Sequence, residues 1–136
     1  MYPAIASDLE EATSLMKFFA KLHKNNIDLG FVILRKCNKE FLGMIGIHEL
    51  NEPMPTIGIW IKNSAQGYGF GKEALKYSLD YAKTLGYHSF LYPVDRRNIA
   101  SKKIALDYNA QLIEPFHKVY TIDNKILEVE IYLIKI

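Results

Sequence analysis

The sequence predicts an α+β fold, a mostly antiparallel, twisted mixed sheet flanked by helices, and three observations carry that expectation. Three strand-like runs, 29–35, 41–50 and 56–62, follow one another across short turns. A helix, a strand and a second helix come next, over 69–108. Two further strand-like runs, 111–121 and 126–136, close the chain. Consecutive strands joined by short loops pair antiparallel, and one strand–helix–strand crossover among them makes the sheet mixed.

Each element has its own physical reason. Ser7-Asp8 followed by Glu10-Glu11 places a capping side chain and acids where a helix N-terminus favours them, and Leu15, Phe18, Phe19 and Leu22 continue at helical spacing. Leu29 to Arg35 is β-branched and aromatic, as a strand prefers. Phe41 to Leu50 and Thr56 to Lys62 complete a meander, separated by Asn51-Glu52-Pro53-Met54-Pro55. Ala74, Leu75, Ser78, Leu79, Ala82 and Leu85 mark one face of a helix from 69 to 85, which Gly86 stops. His88 to Val94 reads as a strand whose ladder Pro93 interrupts. Asn98 caps a helix that runs to Tyr108, with Asn109 as its left-handed stop. Asp123-Asn124-Lys125 turns the final hairpin. Its last strand alternates Leu127, Val129, Ile131 and Leu133 against Glu128, Glu130 and Tyr132.

The 136 residues fit one domain, with enough apolar residues for a core. A net charge of +2 is too small to argue for nucleic acid or membrane binding. Cys37 is the only cysteine, so neither an internal disulfide nor a thiolate metal cluster is expected. No secretion leader or membrane span is visible in the sequence, and the expected location is the cytoplasm.

The chemistry concentrates after the third strand. Gln66-Gly67-Tyr68-Gly69-Phe70-Gly71-Lys72 puts glycine at every second position and opens directly into a helix. Glycines let main-chain N–H groups approach an anion, and the helix start adds unpaired N–H groups and the positive end of its dipole. The spacing is not G-x-G-x-x-G, and Lys72 is followed by Glu73 rather than the serine or threonine of a P-loop.

What remains, Gln66-x-x-Gly69-x-Gly71, resembles the acyl-CoA loop of the GNAT superfamily of N-acetyltransferases. Asn98-x-x-Ser101, opening the next helix, resembles that family's second coenzyme segment. The closing hairpin, with Glu130-Ile131-Tyr132-Leu133, is similar to the branch that acetylates ribosomal-protein N-termini. The resemblance implies acetyl-CoA as co-substrate, no metal, and direct attack by a primary amine, either a peptide N-terminus or a small polyamine-like molecule. It also implies that N–H groups from Gln66 to Lys72 hold the pyrophosphate. The pantetheine arm would lie along the main chain of Ile59, Trp60 and Ile61, in a slot opened by splaying of this strand from the one at His88–Val94. Lys72 has two readings, a charge near phosphate or a solvated helix residue.

The resemblance places Asn98 and Ser101 against the pantetheine arm, with Ser101 as a candidate donor to the leaving thiolate. The family's frequent tyrosine, four residues beyond, is here Ala105. Where relatives often carry a carboxylate at the start of the glycine-loop strand, this chain has Thr56. His48 and Glu49 are the nearest candidate bases, on opposite faces by strand alternation. His117 is a weaker one. Arg96-Arg97 and Lys102-Lys103 neighbour the expected phosphates. The first strand of the family has no obvious counterpart, so an open edge at Leu29–Arg35, covered by a second protomer or a rearranged segment, is expected. The competing readings are an acyl-CoA-binding regulatory module without turnover and an interaction domain that binds no coenzyme.

Overall fold

The computed structural model describes residues 27–136 together with Lys17 and Lys21. The expected helix over 7–24 lies outside the described residues, except that Lys17 and Lys21 are helical and exposed. The elements that follow are strands β1 (Leu29–Leu34), β2 (Phe41–His48) and β3 (Thr56–Ile61), helix α1 (Phe70–Thr84), strand β4 (Ser89–Asp95), helix α2 (Ile99–Asp107), and strands β5 (Gln111–Tyr120) and β6 (Ile126–Lys135). A one-turn 3-10 helix, Asn63–Ala65, which the sequence reading did not anticipate, joins β3 to the glycine loop. Strand β2 stops at His48 rather than Leu50 because Glu49 takes a left-handed conformation, φ 61°.

The strands form one six-stranded sheet in the order β1-β2-β3-β4-β6-β5. Every pairing is antiparallel except β3 with β4. That parallel contact has a single registered pair, Thr56 with Leu91, where the Leu91 N–H donates to the Pro55 carbonyl at 2.9 Å. Strand alternation turns the main chain of residue 93 toward the same side as that of residue 91. Residue 93 is proline, which has no N–H to extend the ladder. The two strands therefore fork beyond Leu91. On its other side β4 pairs with β6 without a break, through Pro93 opposite Ile131. The expected interruption thus falls only on the β3 side.

The core lies mainly between α1 and the sheet. Leu75 and Leu79 of α1 meet Ile45, Ile47 and Ile57 of β2 and β3, all nearly fully buried. Phe90, Tyr92, Tyr132 and Ile134 extend it across β4 and β6. The alternation read along β6 holds, but its core assignment is divided. Tyr132 and Ile134 are buried on the face that carries Glu130, while Val129 is buried on the other. Gly86 and Asn109 stop their helices at φ 95° and 53°, the left-handed stops expected there.

The outer edges differ in kind. β5 carries Pro115 and two register irregularities, devices that discourage further strand addition. β1, Leu-Gly-Phe-Val-Ile-Leu, carries neither charge nor proline, and among the described residues it pairs only with β2.

At Gly43 a Cβ would overlap the carbonyl oxygen of Trp60 on the neighbouring strand. Gly43→Ala should therefore lower stability by about 1–3 kcal/mol, as overpacking against main chain does. Urea unfolding followed by circular dichroism measures this.

Candidate active site

The fork, the glycine loop and the start of α2 surround one cleft of about 430 Å3. Its lining includes Ile59, Trp60, Ile61, Gln66, Gly67, Gly69, Phe70, Gly71, Lys72, Asn98 and Ser101. Of the coenzyme residues named from sequence, Tyr68 alone does not line it; that side chain is 72% exposed, its ring 6.0 Å from that of Phe70.

The loop is shaped for main-chain recognition. Gly67 and Gly69 both have φ 83°, a conformation that side chains resist, and a Cβ on either would meet open space. The constraint at these two positions is conformational. Gly69 is the N-cap of the 15-residue α1 and supplies no side-chain cap. The first-turn N–H groups and the positive helix end therefore face the cleft, as an anion seat requires. Gly71 has a different reason: a Cβ there would lie 2.8 Å from Ile104 Cδ1, so its smallness lets α1 approach α2. The Gln66 side chain braces the loop. Its Nε2 donates to the Ile61 carbonyl at 3.0 Å and to Asn63 Oδ1 at 3.3 Å, which ties the loop to the end of β3.

Strand alternation also sorts the β3 main chain. Pro55 presents its carbonyl to β4, so Ile57, Ile59 and Ile61 present theirs to the same side. Trp60 turns its main chain to β2, opposite Met44, and is among the residues that line the cleft. The main chain of Ile59 and Ile61 therefore faces the slot, and that of Trp60 faces β2.

On α2, the Asn98 side chain caps the helix by accepting from the Ser101 N–H at 3.1 Å. Ser101 Oγ lies 2.8 Å from the hydroxyl of Tyr92, a buried residue of β4. Burial raises the Tyr92 hydroxyl above its ordinary pKa, so it stays neutral; it donates to the Ser101 carbonyl at 3.2 Å, and either hydroxyl of the pair can donate to the other. Nothing in the sequence pattern pointed to this tyrosine, which is nine residues from Ser101. Ala105, where a tyrosine was looked for, is completely buried.

The cations are apportioned differently from the sequence expectation. Arg96 pairs with Glu128 at 2.6 Å and stacks on Phe116, Arg97 pairs with Asp95 at 2.6 Å, and Lys102 pairs with Glu130 at 2.9 Å. Of the four, only Lys103 lines the cleft. Lys72 reaches Asp107 at 3.2 Å, so it sits on the rim between the two helices.

The candidate bases lie beside the fork and outside the cleft lining. His48 is registered opposite Thr56, and the Thr56 hydroxyl donates to Glu49 Oε2 at 2.7 Å. Strand alternation predicted opposite faces, but the left-handed turn at Glu49 brings its carboxylate back to Thr56. Glu49 therefore reaches Thr56, the residue opposite His48 in the register. His117, on β5, pairs with Val129 at the far edge of the sheet. Among the described residues no cluster of His, Cys, Asp and Glu could hold a metal, and no helix is long and apolar enough to cross a membrane.

Residues 1–110 match the family model of the GNAT acetyltransferase domain. Solved structures share the fold. A ribosomal-protein alanine acetyltransferase from Vibrio fischeri superposes with a TM-score of 0.79 at 19% identity, over 98% of this chain and 76% of that one. An acetyltransferase from Salmonella typhimurium that modifies the N-terminal serine of a ribosomal subunit protein gives 0.80 at 22%, over 96% and 76%. Spermidine N-acetyltransferase from Vibrio cholerae, in complex with CoA and spermine, gives 0.79 at 20%, over 98% and 78%. Among curated proteins none matches this sequence. The chain belongs to the GNAT family of acetyl-CoA-dependent N-acetyltransferases.

Asp95 fixes the turn that presents Asn98. Its oxygens accept from the Arg97 side chain and from the N–H groups of Arg97 and Glu128. The Arg97 guanidinium first, then those N–H groups, hold the carboxyl well below the usual carboxylate range against the opposing effect of burial. The stability it adds is full above the unfolded carboxylate value, near pH 4, and is lost as pH falls toward the folded one. Asp95→Asn should lower stability at pH 7 by about 1–2 kcal/mol, discounted for the exposed arginine, and flatten its decline below about pH 4. Chemical denaturation across pH measures both.

Proposed function

We propose that this protein acetylates a primary amine, the N-terminus of a peptide or a small polyamine, by direct attack on acetyl-CoA bound in the cleft. The observation that carries the coenzyme half is the uncapped start of α1 behind two left-handed glycines, at the open end of a fork in the sheet. In this reading the N–H groups from Gly67 to Lys72 hold the diphosphate, with Gln66 bracing the loop. The Ile59 N–H faces the thioester arm and supplies the fixed donor that the oxyanion needs. Asn98 and Ser101 border the arm, and Tyr92 orients the Ser101 hydroxyl as proton donor to the leaving thiolate. Glu49 or His48 takes the proton released by the amine. The acetyl-CoA supplies an activated acyl group, and positioning it in line with the amine provides much of the rate.

The acceptor class follows from what similar folds bind: one acts on a protein N-terminal serine, and another holds spermine. We infer a single-domain protein that works in the cytoplasm. We infer that its uncharged β1 edge is covered by a second protomer or a rearranged segment, which light scattering distinguishes. The competing reading, a coenzyme-binding module without turnover, draws on Thr56 and Ala105 standing where relatives place catalytic groups.

Thiol release from acetyl-CoA, followed across a panel of short peptides with free N-termini and polyamines, tests the proposal. Turnover on at least one acceptor is expected, with no metal requirement. Saturable acetyl-CoA binding with no transfer to any amine would leave the binding-module reading standing.

A further inference from the structure

Two charges at the rim of the cleft stand at the wrong ends of their helices. Lys72 lies in the first turn of α1, and Asp107 is the last residue of α2. A helix favours anions in its first turn and cations in its last. Elsewhere α1 keeps this rule, with Glu73 in its first turn and Lys83 in its last. Lys72 and Asp107 break it together, and they meet each other, Nζ to Oδ2 at 3.2 Å. Gly71 permits the meeting, because its missing side chain lets α1 come up against Ile104 of α2. Both charged residues are exposed, and both line the cleft.

The sign of the pair is informative. A carboxylate at 72 and an amine at 107 would staple the two helices equally well and would suit both dipoles. The observed order opposes both dipoles and leaves a carboxylate in the wall of an anion seat. A phosphate against the first turn of α1 reverses the balance, because it gives Lys72 a partner at its own helix end. Paired departures from local preference are found where function sets them.

We propose that Lys72 alternates between Asp107 in the empty protein and the coenzyme diphosphate in the loaded one, and that Asp107, by competing for Lys72, weakens coenzyme binding and speeds the departure of CoA. The inference rests on the reading of the cleft as the acetyl-CoA seat. Asp107 is a positioning residue, since it acts through Lys72. Lys103 stands four residues before Asp107 on α2 and lines the same cleft. At that spacing an amine reaches a carboxylate one turn away. Asp107 therefore has a second cation to turn to when Lys72 leaves, and the exchange strands no charge. No covalent bond changes; one ion pair replaces another. Exposed pairs are weak, so the competition changes affinity by a few-fold and does not close the cleft.

Binding measurements on the full chain test this without an acceptor amine. CoA is titrated into wild type by calorimetry first. No binding there overturns the reading of the cleft and this inference with it, whereas normal binding isolates the role of Asp107. Asp107→Asn should then tighten CoA about two- to fivefold, mainly through slower dissociation. Stopped-flow fluorescence of Trp60, the single tryptophan and a residue of the cleft, follows that rate. Asp107→Ser, which also removes the charge, repeats the comparison, and thermal melting without ligand verifies that each variant is folded. The same gain should appear with dephospho-CoA, which keeps the diphosphate. Lys72→Met should bind CoA more weakly than wild type, and adding Asp107→Asn to it should recover little, because no lysine remains to be released. Affinity should fall more steeply with salt in Asp107→Asn than in wild type, since a new ion pair then forms without another being broken. Asp107 variants that bind CoA no tighter than wild type, a gain of equal size with and without Lys72, or a gain absent with dephospho-CoA would each overturn the proposal.

Discussion

The fork between β3 and β4 is the constraint on which the site depends. Two parallel strands in one sheet would ordinarily continue their ladder, and these pair only at Thr56 and Leu91. Pro93 accounts for the break, because it presents no N–H on the side where the next rung would form. The same residue leaves the β6 side intact, so the sheet opens in its middle without losing its continuity through β4 and β6. Ile59 then faces the gap with main-chain polar groups, and such groups need a partner, whether water or an extended ligand. The 3-10 turn, the two left-handed glycines and the start of α1 stand at the open end of that gap, and His48 stands beside its closed end.

Electrostatics are arranged to leave the coenzyme seat to main-chain donors and few side chains. Asp95, Glu128 and Glu130 each engage a nearby cation, which fixes the turn before α2 and the packing of α2 on the hairpin. Lys103 and Lys72 remain at the cleft, the latter held loosely by Asp107 across exposed surface. Such an exposed pair contributes little to stability, so phosphate can displace it at small cost.

Much of this was legible in local sequence. The element order, the caps at Asn98, Gly86 and Asn109, and the glycine loop all follow from patterns within a few residues, and the structure brings Ile59, Gln66, Gly69, Asn98 and Ser101 to one cleft. What was not legible depends on register or distant pairing. Which strand loses its partner at Pro93 cannot be read without knowing that β3 and β6 flank β4. Glu49 was assigned by alternation to the face opposite His48, and a left-handed residue at the strand end cancelled that rule. Asp28, whose Oδ2 lies 2.8 Å from His48 Nδ1, gave no signal because that partner is twenty residues away, and Tyr92 read as one more apolar strand residue. Arg96 and Lys102 were read as neighbours of the phosphates because their carboxylate partners, Glu128 and Glu130, lie on the distant strand β6, whereas the partner of Arg97 is Asp95, only two residues back.

Amide hydrogen exchange with and without acetyl-CoA tests the fork most directly. The coenzyme should slow exchange at the Ile59 amide and across residues 67–72, about tenfold or more at saturation, while the Trp60 amide, already turned to β2, stays as it was. Saturating coenzyme that leaves Ile59 exchanging at its original rate, or that protects the β5 and β6 hairpin instead, would contradict the account.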